Sequence, residues 1–160
     1  MRVASLAFHR KRGFVLIAMC ACMFLLLASM GLAFDVGRIY IARNEGQVFA
    51  DAAAMAAAQQ LDGSNEGFTR AVAAAKNLPG RWNMAAETIK GVKIEFSKDG
   101  ERWEQDWKSL KLDPSEIHLA RVAIDGNELD ITFLRAVGGP NSFNVPAHAV
   151  AVSQPVRLVE

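Results

Sequence analysis

The chain reads as an α+β protein built on one long N-terminal helix, and three observations carry that reading. An uncharged stretch of 22 residues, Gly13 to Phe34, passes into alanine-rich, proline-free sequence that runs to about Leu61. Past Gly91 the apolar residues alternate instead, so that Val92, Ile94 and Phe96 share one face. A length of 160 residues leaves room for one membrane segment and one small domain. The expected architecture is a transmembrane helix that continues outside the membrane and packs on a small antiparallel sheet.

The uncharged run justifies the first element. At about 1.5 Å per residue it reaches roughly 33 Å, enough to cross a hydrocarbon core of about 30 Å. Four of the 18 basic residues, Arg2, Arg10, Lys11 and Arg12, precede it, with none of the 17 acidic ones. By the positive-inside rule this keeps residues 1–12 in the cytoplasm and sends the rest outward. The expected organisation is a basic tail over 1–12, a transmembrane helix over 13–34, its continuation over 35–62 and a small α+β domain over 63–160. A cleaved signal peptide is the competing reading. Its apolar core would usually span only about 7 to 15 residues, yet Gly31-Leu32-Ala33 offers a small-residue cleavage site before Phe34. The product would then be a secreted or periplasmic hydrolase or binding module, soluble after carbonate extraction. Cys20 and Cys22 both lie inside the run, so no disulfide staples the exported part.

Between Asp35 and Gln60 only Gly37 and Gly46 interrupt good helix formers, and the helix is expected to stop at Asp62-Gly63-Ser64-Asn65. Ala42, Gly46, Ala50, Ala54 and Ala58 recur every four residues and form a narrow strip of small side chains. Such ridges let another backbone approach closely, and the strip is expected to meet partner helices or a second copy. Ile41, Val48 and Met55, seven apart on another face, are expected to contact the chain's own domain.

A second helix is expected from about Glu66 to Asn77, capped by Ser64 or Asn65 and closed by Pro79-Gly80. Strands follow at Val92 to Phe96, at Ala120 to Asp125, at Glu128 to Val137 and from Val145 onward. Asp99-Gly100 and Gly126-Asn127 mark the turns.

Residues 13–160 carry a net charge of −3, which argues against a basic nucleic-acid surface. His118 and His148 lie 30 residues apart without a zinc spacing, and Asp125 to Asp130 lacks the ligand spacing of a calcium loop. No nucleophile elbow, P-loop or dinucleotide-binding glycine pattern occurs. Neither a cofactor nor a metal is expected, and no residue is assigned a catalytic role. Trp103 and Trp107 read as core-edge tryptophans or an exposed aromatic face.

The segment "RKRGFVLIAMCACMFLLLASMGLAFDVGRIYIARNEGQVFADAAAMAAAQQL" closely resembles the N-terminal region of TadG-like proteins, the TadE/TadG-like class of the bacterial tight-adherence (Flp) pilus assembly system. Arg12-Gly13, Asp35, Gly37, Arg38, Tyr40, Arg43 and the run from Ala50 through Asp51 to Ala58 carry the likeness. Beyond residue 62 it is looser: Asn77, Gly100, Trp103 and the closing "VPAHAVAV" stretch are similar to family features. The resemblance implies a pilin-like, non-enzymatic component of pilus biogenesis. It would be anchored in the bacterial inner membrane, where its partners are other pilus-assembly proteins, pilin-like subunits or itself.

Two departures refine this. The chain has no von Willebrand-type motif, so it is expected to be a short member or the N-terminal part of something longer. Gly13 followed by Phe14 looks like a prepilin processing site, yet Ala18 stands where major pilins place a glutamate. A minor pseudopilin or scaffold is therefore expected rather than a major pilin. Asp35, Gly37 and Arg38, at the membrane exit, are the residues expected to matter most to assembly.

Overall fold

Uninterrupted good helix formers give one α-helix of 50 residues, α1 (His9–Ala58), in the computed structural model, which describes residues 9–82 and 87–153. The chain divides into two units. The first holds residues 9–37 with 131–141, and the second holds 38–130 with 142–153.

In the first unit α1 is apolar all round and its large side chains, such as Leu16, Phe24 and Leu27, are exposed. That pattern is the one expected of a helix whose solvent is not water. By length and composition this stretch is sufficient to cross a membrane. Residues 131–141 form an irregular loop with a short 3₁₀ turn, Leu134–Val137, ended by Gly138 at φ +89°.

The second unit is an α+β assembly. A three-stranded antiparallel sheet has the order β3 (Lys93–Ser97), β4 (Leu119–Ile124), β7 (Ala147–Val152). Two short hairpins accompany it: β1 (Arg81–Trp82) with β2 (Glu87–Thr88), and β5 (Glu128–Asp130) with β6 (Ser142–Asn144). Register aligns Ile94, Val122 and Ala149 across the sheet, and Phe96, Ala120 and Ala151 beside them. These residues join Ala50, Ala54, Phe68 and Ala75 from the helices in one core. On the opposite face Glu95 and Arg121 are paired directly, with Nη2–Oε2 at 2.6 Å and the guanidinium 4.5 Å from the Trp103 ring. Trp107 stacks on Phe68 at 4.6 Å and packs against the core, whereas Trp103 lies half-buried against Arg121 on the opposite face.

The second helix, α2 (Asn65–Lys76), starts where expected, with Ser64 Oγ accepting from the Gly67 amide. The strand expected over Glu128 to Val137 is shorter than its alternation suggests. It ends at Asp130; the Ile131 amide still meets the Asn141 carbonyl, but the amides of residues 132–134 are taken by a side chain rather than by a neighbouring strand. Before β3, Gly91 sits at φ +67°, and a Cβ there would lie 2.0 Å from the Asp125 carbonyl oxygen. Asn127, buried nearby, completes the junction by accepting from the Lys90 amide and donating to the Lys90 carbonyl.

The α1–α2 turn contains a titratable brace. Asp62 accepts from the Ser64 hydroxyl and amide and pairs with Arg70, which lowers its pKa from 3.8 to about 2. A depressed carboxyl pKa stabilises the fold above the unfolded value and loses that contribution as pH falls through the folded one. Thermal unfolding of the chain and of Asp62→Asn should therefore differ at neutral pH. The gap should close as pH falls from 3.8 to about 2.

Candidate functional site

Two places on α1 gather the residues singled out by the sequence, one in each unit. In the first unit the centre is Asp35, one residue past the apolar run and only 1% exposed. Its Oδ1 accepts from the Thr132 amide at 3.2 Å. Its Oδ2 accepts from the Phe133 amide at 2.8 Å and the Leu134 amide at 2.6 Å. A buried carboxyl group demands partners, and the opening of a 3₁₀ turn demands acceptors. Each solves the other's problem across nearly a hundred residues of sequence.

The same loop lays Phe133 on the helix. Its ring meets Phe34 edge-on, with centroids 5.6 Å apart. A Cβ added to Gly31 would come within 2.8 Å of the Phe133 Cβ and Cγ, so a glycine is what permits the approach. The sequence reading weighed Gly31 only within a cleavage site and assigned Phe133 to a strand. The apolar pair Phe133-Leu134 with Gly138-Gly139 was the available signal. Gly37 is exposed with open space around it, and Gly13 and Phe14 lie exposed at the other end of the run.

In the second unit Arg38 donates from Nη1 to the Asp130 carbonyl at 3.1 Å. Ala42, Gly46, Ala50, Ala54 and Ala58 are all buried. A Cβ on Gly46 would meet Ile124 Cδ1 at 3.2 Å and Ala147 Cβ at 3.6 Å, which shows the strip lying on the chain's own sheet. Asp51 is exposed and accepts from Gln47 Nε2, which also donates to the His148 carbonyl. The strip expected to meet partner helices or a second copy is thus the face that packs on the chain's own sheet. Ile41, Val48 and Met55, expected to contact the domain, are 42%, 68% and 57% exposed. The inward face of the sheet already carries Ile94, Phe96, Val122 and Ile124, and the buried strip of α1 is alanine and glycine, with Phe49 the large α1 residue in the same core. Beside the exposed face a groove of about 420 Å³ runs between Ile41, Val48 and Phe49 on one side and Leu78, Pro79 and Ile89 on the other.

Among the described residues no three of His, Cys, Asp and Glu gather as a metal-ion set. His118 and His148 are exposed, and the Asp125 carboxyl accepts from the Gly126 amide in its own turn and from the Asn144 side chain on β6. Neither arrangement pairs a nucleophile with a base.

Removing the carboxyl group at Asp35 would leave three loop amides without acceptors. Each unsatisfied buried group costs about 1–3 kcal/mol. Hydrogen exchange at Phe133 and Leu134 should therefore speed up by at least about tenfold in Asp35→Ala, and by less in Asp35→Asn, which keeps one acceptor oxygen. Unchanged exchange in both would mean that the loop is held by something else.

Comparison with known proteins agrees with the helix. Residues 13–60 match a family model described as putative Flp pilus-assembly TadE/G-like. No curated protein and no solved structure matches the chain. The match covers α1 from the apolar run through the buried strip, and the looser likeness at Asn77, Gly100 and Trp103 lies outside it. Over residues 13–60, a little under a third of its length, the chain is similar to the TadE/G-like family of Flp pilus assembly.

Proposed function

We propose that the protein is a single-pass, membrane-anchored structural component of Flp pilus assembly, a minor pseudopilin or scaffold, and that the exposed face of α1 meets its partners. The N-terminus is cytoplasmic, the apolar run crosses the inner membrane, and the remaining chain lies outside. The family match supports the pilus role, and the uncovered apolar stretch of α1 supports the anchor. The observation that carries the partner face is the row Ile41, Val48 and Met55, large, apolar and exposed at seven-residue spacing. Seven residues are nearly two helical turns, so the three side chains line up as a seam for another helix. The small-residue strip, being buried on the chain's own sheet, is left out of that role.

The combined Ile41→Asp and Val48→Asp variant tests this in cells that build Flp pili. Surface substitutions usually shift stability within about 0.5 kcal/mol, so the variant should accumulate normally and pellet with carbonate-washed membranes. Surface piliation should drop sharply. Normal piliation would remove the partner face, and a wild-type chain released by carbonate would remove the anchor.

A further inference from the structure

The geometry points to a second membrane contact: the β5–β6 loop, residues 131–141, sits in the lipid interface beside the helix exit, with Phe133 as its apolar plug and anionic headgroups as its ligands. This rests on the proposed span of α1 and adds to it a depth stop that the helix alone does not supply.

Three observations carry it. The first is level. Counted from Gly13, Gly31 lies about 27 Å along the helix and Phe34 about 32 Å, which brackets the far edge of a hydrocarbon core of about 30 Å. Phe133 touches both residues, so it shares their depth whatever the tilt of the helix. The second is an unsatisfied apolar surface. Phe133 remains 46% exposed after packing on the helix, next to exposed Leu32, Phe34 and Val36. Aromatic rings on a spanning helix and its neighbours collect at this boundary.

The third is the backbone. Irregular chain is tolerated near lipid only where its polar groups find partners within the protein. Asp35 accepts from the amides of residues 132–134, and Ile131 donates to the Asn141 carbonyl at 2.9 Å. Within the turn, Ala136 donates to the Phe133 carbonyl and Gly139 to the Leu134 carbonyl. The loop therefore reaches the interface with these amides already bonded. Arg135, exposed in the same turn, supplies the positive charge that headgroup phosphates favour.

The test uses the full chain in vesicles of phosphatidylcholine and phosphatidylglycerol, with Cys20→Ala and Cys22→Ala as background. A nitroxide is placed in turn at Phe133→Cys, Ala136→Cys, Leu26→Cys and Glu101→Cys. Ala136 is exposed, so its label leaves the Phe133 ring on the helix. Collision with oxygen relative to a water-soluble nickel chelate reports depth. The ratio at 133 and 136 should exceed that at Glu101 several-fold and stay below that at Leu26. A high ratio at Leu26 with aqueous values at both loop positions overturns the loop contact and leaves the anchor standing. An aqueous value at Leu26 overturns the anchor, and the loop contact falls with it.

Discussion

Close approach between α1 and the sheet of the second unit is the constraint on which the rest of that unit depends. The inward face of the sheet is built from Ile94, Phe96, Val122 and Ile124, and large side chains on both sides would hold helix and sheet apart. Along the strip that faces it the helix answers with alanine and glycine, and a Cβ on Gly46 would meet Ile124 Cδ1 at 3.2 Å. Once that face is committed inward, helical geometry decides the others. Ile41, Val48 and Met55 are turned out because they lie on a different side of the same helix, not because solvent suits them. An exposed apolar row thus arises from a packing requirement elsewhere on the helix.

The first unit is governed by a different interaction with the same logic of paired needs. Asp35 follows directly on the apolar run, where an unpartnered carboxyl group would be costly. The loop at 131–141 needs acceptors for the amides that open its turn, and it brings them to Asp35. Phe133 then fills the space that Gly31 leaves by lacking a side chain. The family segment and this loop are far apart in sequence, yet the motif aspartate has its partners in the loop.

Much of the fold was legible because local rules suffice for it. Alanine content and the lack of proline announced α1, Ser64 announced the start of α2, and alternation announced β3, β4 and β7. Two features were not legible, for physical reasons. Periodicity separates the faces of a helix but does not say which one is inside. The usual preference for burying large residues pointed to Ile41, Val48 and Met55, when the buried strip is alanine and glycine with Phe49 beside it. The early end of β5 was hidden as well, since the side chain that claims the following amides lies 97 residues or more away at Asp35. Strands of two or three residues, such as β1, β2 and β6, contain too few alternations to register as a pattern.

The inside and outside of α1 are the point on which the account turns, and one comparison tests them directly: thermal unfolding of the full chain in detergent with Ala50→Leu or with Val48→Leu. Forcing a larger side chain into a packed core costs about 1–3 kcal/mol, whereas an exposed aliphatic exchange stays within about 0.5 kcal/mol. Ala50→Leu should therefore lower the unfolding temperature by several degrees while Val48→Leu leaves it in place. The opposite order would mean that the small-residue strip faces outward and that the exposed seam is part of the core.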